Sequence, residues 1–164
     1  MRLHVRMVLH LLVLVALANG TPVAVNRLLG SRWNWPLDGG LKLPDGQPLF
    51  GVSKTLRGIV TAVVVTLIGA SALNLGWQIG AAVGATAMAG DLLSSFCKRR
   101  MRLTPGSRAT GLDQIPESLL PALVARQTLS LSVMDVVATT LIFMIAEMAL
   151  SVLFFRWHLR ERPY

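Results

Sequence analysis

Residues 90–100 read GDLLSSFCKRR, an acid followed by two serines and three consecutive cations. Placed on a helix, Asp91, Ser94, Ser95, Lys98 and Arg102 share one face; Arg99 lies at its edge and Arg100 points away. A second acid, Asp113, returns after the basic loop in TPGSRATGLDQIP. Carboxylates converging on cations suit a hard divalent ion, because Mg2+ binds through one or two carboxylates together with substrate phosphates. Lysine and arginine neutralise the phosphate oxygens. The chemistry this pattern points to is phosphoryl or nucleotidyl transfer. A plainer reading stands beside it: Asp91 pairs only with Lys98 or Arg99, and KRR is the basic cluster that ends a membrane-spanning segment.

The elements that must position these residues are membrane helices. Of 164 residues, 53% are hydrophobic and 15% charged, against roughly 25% charged in soluble domains. The apolar residues fall in blocks long enough for a bilayer core. The pattern predicts an all-α, polytopic membrane protein of one domain, 1–164, with about five transmembrane helices at 4–25, 57–74, 77–97, 113–128 and 134–156. Two functional loops, 26–56 and 98–112, connect them. A cleaved leader is the competing reading of the first block, but apolar character resumes in TPVAV after Asn19-Gly20. The first loop carries Pro36, Pro44, Pro48 and five glycines, which suit neither a long helix nor a regular strand. Trp33 and Trp35 in that loop suit the headgroup level. GAAVGATAMAG at 80–90 supplies the small residues that let helices approach closely in lipid.

Charge orients the chain. The formal net charge is +8, from 16 Lys and Arg against 8 Asp and Glu. Five cations lie in the first loop or at its edge (Arg57), five in the second and three in the tail (Arg156, Arg160, Arg162), against Arg2, Arg6 and Arg126 on the other side. Both loops and the C-terminus are therefore expected in the cytoplasm, at a cell membrane. Cations placed between apolar blocks point to membrane rather than nucleic acid as the partner. The single Cys97 excludes an internal disulfide and reads as a structural thiol.

GDLLSSFCKRR, then PG, then LDQIP resembles the cytidylyltransferase pattern of CDP-diacylglycerol synthases. The longer likeness is with the CDP-archaeol synthase family: ANGTPV at 18–23, PLDGG at 36–40, DGQPLFGVSKTLRG at 45–58, GDLLSSFCKRR at 90–100, and PG with LDQIP at 105–116, in that order. The resemblance implies transfer of CMP from CTP to a lipid phosphate in the inner leaflet, with release of pyrophosphate and Mg2+ as cofactor. It makes Asp91 and Asp113 the metal ligands. Lys98 and Arg99, with Lys54 and Arg57 of SKTLRG, would contact the triphosphate. Asp38 would line the nucleotide pocket, Asn19 and Pro22 would shape the first helix beside it, and Ser95 would hold a phosphate oxygen or orient Asp91. Thr55 and Gln114 join the substrate-binding set through the same motifs. Two bland alternatives remain: Asp38-Gly39-Gly40 and Asp45-Gly46 as simple turns, and Asn19 with Pro22 as a helix kink.

The chain also departs from the pattern. Archaeal members carry a histidine and an asparagine in the last helix where Glu147 and Ser151 stand, so Glu147 is either a functional substitute or a structural acid. Met101–Thr104 lacks the expected KD, and Pro116 replaces a second acid. Other functions fit the composition: an adaptor binding anionic lipid through KRR, or a small transporter using Glu147 and Asp135. A transporter commonly shows inverted repeats, and none is visible.

Overall fold

The computed structural model describes residues 3–105, 107 and 109–156, with side chains described as far as residue 151. Arg2, Gly106, Arg108, Arg160, Arg162 and the side chain of Arg156, all used in the charge or motif reading, lie outside that description. Five helices follow in order: α1 Val5–Leu29, α2 Leu56–Ala72, α3 Trp77–Arg100, α4 Gln114–Ala125 and α5 Val133–Arg156. Among the described residues no strand forms; the first loop carries only two isolated bridges, Pro36 to Thr55 and Lys42 to Pro48.

Three of the helices, Val5–Leu29, Trp77–Arg100 and Val133–Ser151, are long and apolar enough to cross a bilayer. The other two are shorter. α2 has 17 residues, and α4 has 12, about 18 Å of rise against a hydrocarbon core of about 30 Å. The expectation of a fourth helix at 113–128 is thus shortened at both ends. Its last turn is replaced by the 126–132 connection, where Ser130 takes a positive φ of 51°. α1, by contrast, runs four residues past the expected end. Pro22 sits inside it, where its missing N–H removes one donor to the Ala18 carbonyl, and in the turn before it the Asn19 and Thr21 side chains donate to the carbonyls of Val15 and Leu17.

Small residues set the packing. A Cβ on Gly80 would lie 2.6 Å from Leu67 Cα and Thr66 O, and one on Gly84 3.0 Å from Val63 Cα, so α2 and α3 meet almost backbone to backbone. Gly90 does the same for α4: its Cβ would lie 2.3 Å from Pro116 O and 2.7 Å from Glu117 N. An apolar cluster of Leu11, Leu14, Val15, Ala70, Val83, Ala122, Ala125 and Phe143 fills the half of the bundle away from the loops. At that end one buried carboxylate joins two helix starts. Asp135 accepts from the backbone N–H of His4 at 2.7 Å and that of Ser132 at 2.7 Å, and its Oδ2 lies 2.7 Å from His4 Nδ1. Helix starts leave N–H groups unsatisfied and favour such an anion. Both long loops sit at the opposite end. Among the described residues the α5 backbone lies against α4 and α1 and does not approach that of α2 or α3.

Candidate active site

The first loop is shaped by its own polar groups. Asp38 Oδ1 accepts from Gly40 N–H, and its Oδ2 accepts from Phe50 and Gly51 N–H at 2.9 and 3.0 Å. Burial pushes this carboxyl up, but the three N–H groups outweigh that and hold it below its ordinary value. A Cβ on Gly51, at φ +95°, would lie 3.3 Å from Pro105 Cγ, so the two loops touch there. The hairpin over 42–48 is fastened to α3 by Arg100. That side chain pairs with Asp45, donates to Pro48 O at 2.7 Å, and stacks 5.2 Å from the Phe96 ring centroid. Asp45 is held below its ordinary value by the N–H of Gln47 and then by Arg100. The loop's two ends are tied by Arg57, which donates to Asn26 Oδ1 and Gly30 O, both at 2.7 Å, and to Arg32 O. Thr55 caps α2 by accepting from Gly58 N–H at 3.3 Å.

These constraints aim Lys54 into a cavity of about 400 Å3 at the loop end of the bundle. Every helix contributes to its wall: Asn19, Pro22 and Asn26 from α1, Gly58 and Ile59 from α2, Asp91, Ser95, Lys98 and Arg99 from α3, Glu117 from α4 and Glu147 from α5. Asp113, just before α4, and Asn34, Ser53, Lys54, Thr55 and Ser107 from the loops complete it. The acids and cations are already interleaved. Lys54 Nζ reaches both oxygens of Asp91 at 2.5 and 2.6 Å. Lys98 Nζ lies 2.6 Å from Asp113 Oδ1 and donates to Ser107 O at 2.9 Å. Glu117 shares this wall with Asp91 and Glu147, so carboxyl groups gather there.

Arg99 is the exception to this pairing. It is 1% exposed, donates one N–H to Thr104 O at 2.7 Å, and leaves Nε and Nη1 buried without a partner. A buried cation with unmade hydrogen bonds is costly, unless an anion is to be received there.

The sequence-derived residues divide into two groups. Asp91, Asp113, Lys98, Arg99, Lys54, Ser95, Asn19, Pro22 and Thr55 come together on one wall. Asp38, Arg57 and Gln114 do not. Asp38 and Arg57 are spent on the loop, and Gln114 Oε1 accepts from Gly111 N–H at 2.7 Å, closing the turn before α4. The helical stripe is also shorter than expected. α3 ends at Arg100, so Arg102, at φ 58°, lies beyond it. Ser94 Oγ bonds back to the carbonyl of Asp91 rather than facing the cavity, while Arg99, placed at the stripe's edge, is its most buried cation. Asn26, Asn34, Ser107 and Glu117 are wall residues the sequence did not single out. Glu117 reads there as an ordinary acid in a helix's first turn.

Among the described residues no three His, Cys, Asp or Glu side chains stand in metal-holding geometry. The donors nevertheless suit a hard divalent ion: Asp91 and Asp113 carry carboxylate oxygens on one wall, and Mg2+ commonly completes its shell with water and substrate oxygens rather than a protein cage.

Known proteins resemble this chain in sequence and in fold. The chain is 39% identical over 103 residues to the CDP-archaeol synthase of Thermofilum pendens, covering 60% of this chain and 50% of the relative. It is 39% identical over 107 residues to that of Pyrococcus furiosus, covering 59% and 60%. The chain thus spans about half to three-fifths of the length of these two relatives. With the CDP-archaeol synthase of Pyrobaculum arsenaticum it shares 30% identity over 152 residues, 90% of this chain and 91% of the relative. A solved structure described as an intramembrane enzyme for archaeal membrane lipid biosynthesis superposes with a TM-score of 0.66 at 26% identity, over 85% of this chain and 92% of that one. The family model for CarS-like CDP-archaeol synthases matches residues 4–164, and the chain belongs to that family.

Proposed function

We propose that the chain transfers CMP from CTP to a lipid phosphate, archaetidic or phosphatidic acid-like, giving a CDP-activated lipid and pyrophosphate. Arg99 carries the reading: a fully buried guanidinium with two idle donors, in a wall that also holds Lys54, Lys98, Asp91 and Asp113. This is a receptor for a polyanion, set among membrane helices. Nucleotide triphosphate and lipid phosphate together supply that charge. The relatives' shared name supports a lipid acceptor.

An acceptor phosphate oxygen attacks the α-phosphorus of CTP, forming a P–O bond. The bond from the α-phosphorus to the bridging oxygen breaks, and its electron pair leaves on pyrophosphate. The acceptor is ionised at neutral pH, so no protein base is needed. The side chains act by positioning and by stabilising charge. Lys54 and Lys98 exchange their carboxylate partners for phosphate oxygens, and Arg99 donates Nε and Nη1 to the triphosphate. Release of the lysines leaves Asp91 and Asp113 as the two carboxylates that would hold Mg2+. Bound there, Mg2+ would neutralise phosphate charge as a Lewis acid. Ser95 holds a phosphate oxygen or orients Asp91. The loop end of the bundle faces the cytoplasm and the acceptor comes from the inner leaflet, a reading supported by the excess of Lys and Arg in both loops.

The test is purified protein in lipid vesicles with Mg2+, labelled CTP and a lipid phosphate. Asp91→Ala and Asp113→Ala are each expected to abolish CMP-lipid formation while the protein stays folded. Near-normal turnover in either would overturn the metal assignment. No stabilisation of the wild-type chain by CTP with Mg2+ would overturn the nucleotide reading itself.

A further inference from the structure

The segment Trp33-Asn34-Trp35 is the part of the first loop that the catalytic reading leaves unused. Its alternation is two-sided: Asn34 lies on the cavity wall, while Trp33 and Trp35 are each 66% exposed. Trp33 adopts φ 51°, a left-handed backbone conformation that bulky side chains rarely take. The conformation is imposed from both sides. Arg57 grips the carbonyls of Gly30 and Arg32 just before it, and the carbonyl of Trp35 accepts from Leu56 N–H at 3.2 Å just after it. The chain therefore holds two indoles outward at a fixed height, level with the end of α1 at Leu29 and the start of α2 at Leu56.

That height suits a membrane boundary. Exposed apolar side chains continue from the strap onto both helices, through Leu28 on α1 and Leu56 and Val60 on α2. Arg27 and Arg32 flank it with positive charge, which suits anionic headgroups. At the far end of the bundle Trp77, also exposed, opens α3. Indole rings settle where an apolar body and a polar N–H are both satisfied, at the headgroup level.

We propose that the Trp33-Asn34-Trp35 strap docks on the headgroup layer of the bilayer and sets the cavity mouth at the depth of a lipid phosphate, with Asn34 on the inner side where that phosphate enters. The docking rests on the geometry above. Its consequence for the acceptor rests on the function proposed in the preceding subsection.

The full chain, carrying Trp77→Phe and Trp157→Phe so that only the strap fluoresces, is reconstituted in phosphatidylcholine–phosphatidylglycerol vesicles. Lipids brominated near the headgroup should lower strap emission by about two-fold, more than lipids brominated at the chain end. Aqueous iodide should have little effect. Quenching by iodide without quenching by brominated lipid overturns the docking. In the second arm, Trp33→Ser/Trp35→Ser should raise KM for the lipid acceptor about ten-fold while CTP-dependent thermal stabilisation is retained, and Trp33→Phe/Trp35→Phe should restore it in part. An unchanged acceptor KM overturns the entry role. Lipid quenching with no CMP transfer by the wild-type chain keeps the docking and removes the proposed activity, so the two readings fail separately.

Discussion

Replacing Gly90 by alanine tests how the two motif-bearing helices are held together. The added Cβ would lie 2.3 Å from Pro116 O, 2.4 Å from Pro116 C and 2.7 Å from Glu117 N, where ordinary contact begins at 3.4 Å. All three atoms are backbone, so no rotamer change relieves the clash. α3 and α4 must part by about 1 Å, and they carry Asp91 on one side and Asp113 and Glu117 on the other. A displacement of that size at a reacting centre costs on the order of 100-fold in rate, about 2.7 kcal/mol of transition-state stabilisation. The packing itself loses about 1–3 kcal/mol. CMP transfer from labelled CTP and thermal unfolding should be measured together. Gly80→Ala is the matched control: it also clashes with backbone, at 2.6 Å from Leu67 Cα and Thr66 O, but in the half of the bundle away from the cavity. It should lower stability similarly and turnover far less. Gly20→Ala meets nothing within 4 Å and should change neither. Wild-type turnover in Gly90→Ala would refute the reasoning that this contact sets the spacing of the carboxylates.

Two further outcomes are expected. Arg57→Gln removes three hydrogen bonds to the loop ends and should cost about 1–3 kcal/mol in thermal unfolding, with KM for CTP changed less than in Lys98→Met; a large rise in KM at unaltered stability would show that Arg57 touches substrate. Asp38, held below its ordinary value in the fold, contributes stability that is complete above roughly pH 4 and is lost as pH falls through its lowered folded value. Hydrogen-exchange protection of the Phe50 and Gly51 amides, taken relative to their intrinsic rates at each pH, should fall over that acidic range, and Asp38→Asn should abolish the step; protection independent of pH in the wild-type chain would contradict the assignment.

The helices were legible because lipid demands contiguous apolar residues, and length alone then separates one block from the next. The spacing of Asp91, Ser95 and Lys98 was legible for the same reason: seven residues make two turns, and two turns return to one face. Arg99 was not. Its burial depends on the second loop folding back so that Thr104 O accepts its N–H, a contact outside any helical repeat. Asp38 and Arg57 carried the right charges for a nucleotide pocket, yet backbone N–H and carbonyl groups in a proline- and glycine-rich loop claimed them first. Glu117 was hidden by its ordinariness, since an acid in a helix's first turn needs no further reason. The partnership of Arg100 with Asp45 spans 55 residues, and no local pattern announces it.

The carboxylate of Asp135 ties the beginning of the first helix to the beginning of the last, while among the described residues the backbone of that last helix stays clear of α2 and α3. The bundle is in effect a clothes-peg, sprung shut at the end remote from the loops. Any parting of the last helix from the bundle would then begin at the opposite end, where Glu147 stands on the cavity wall.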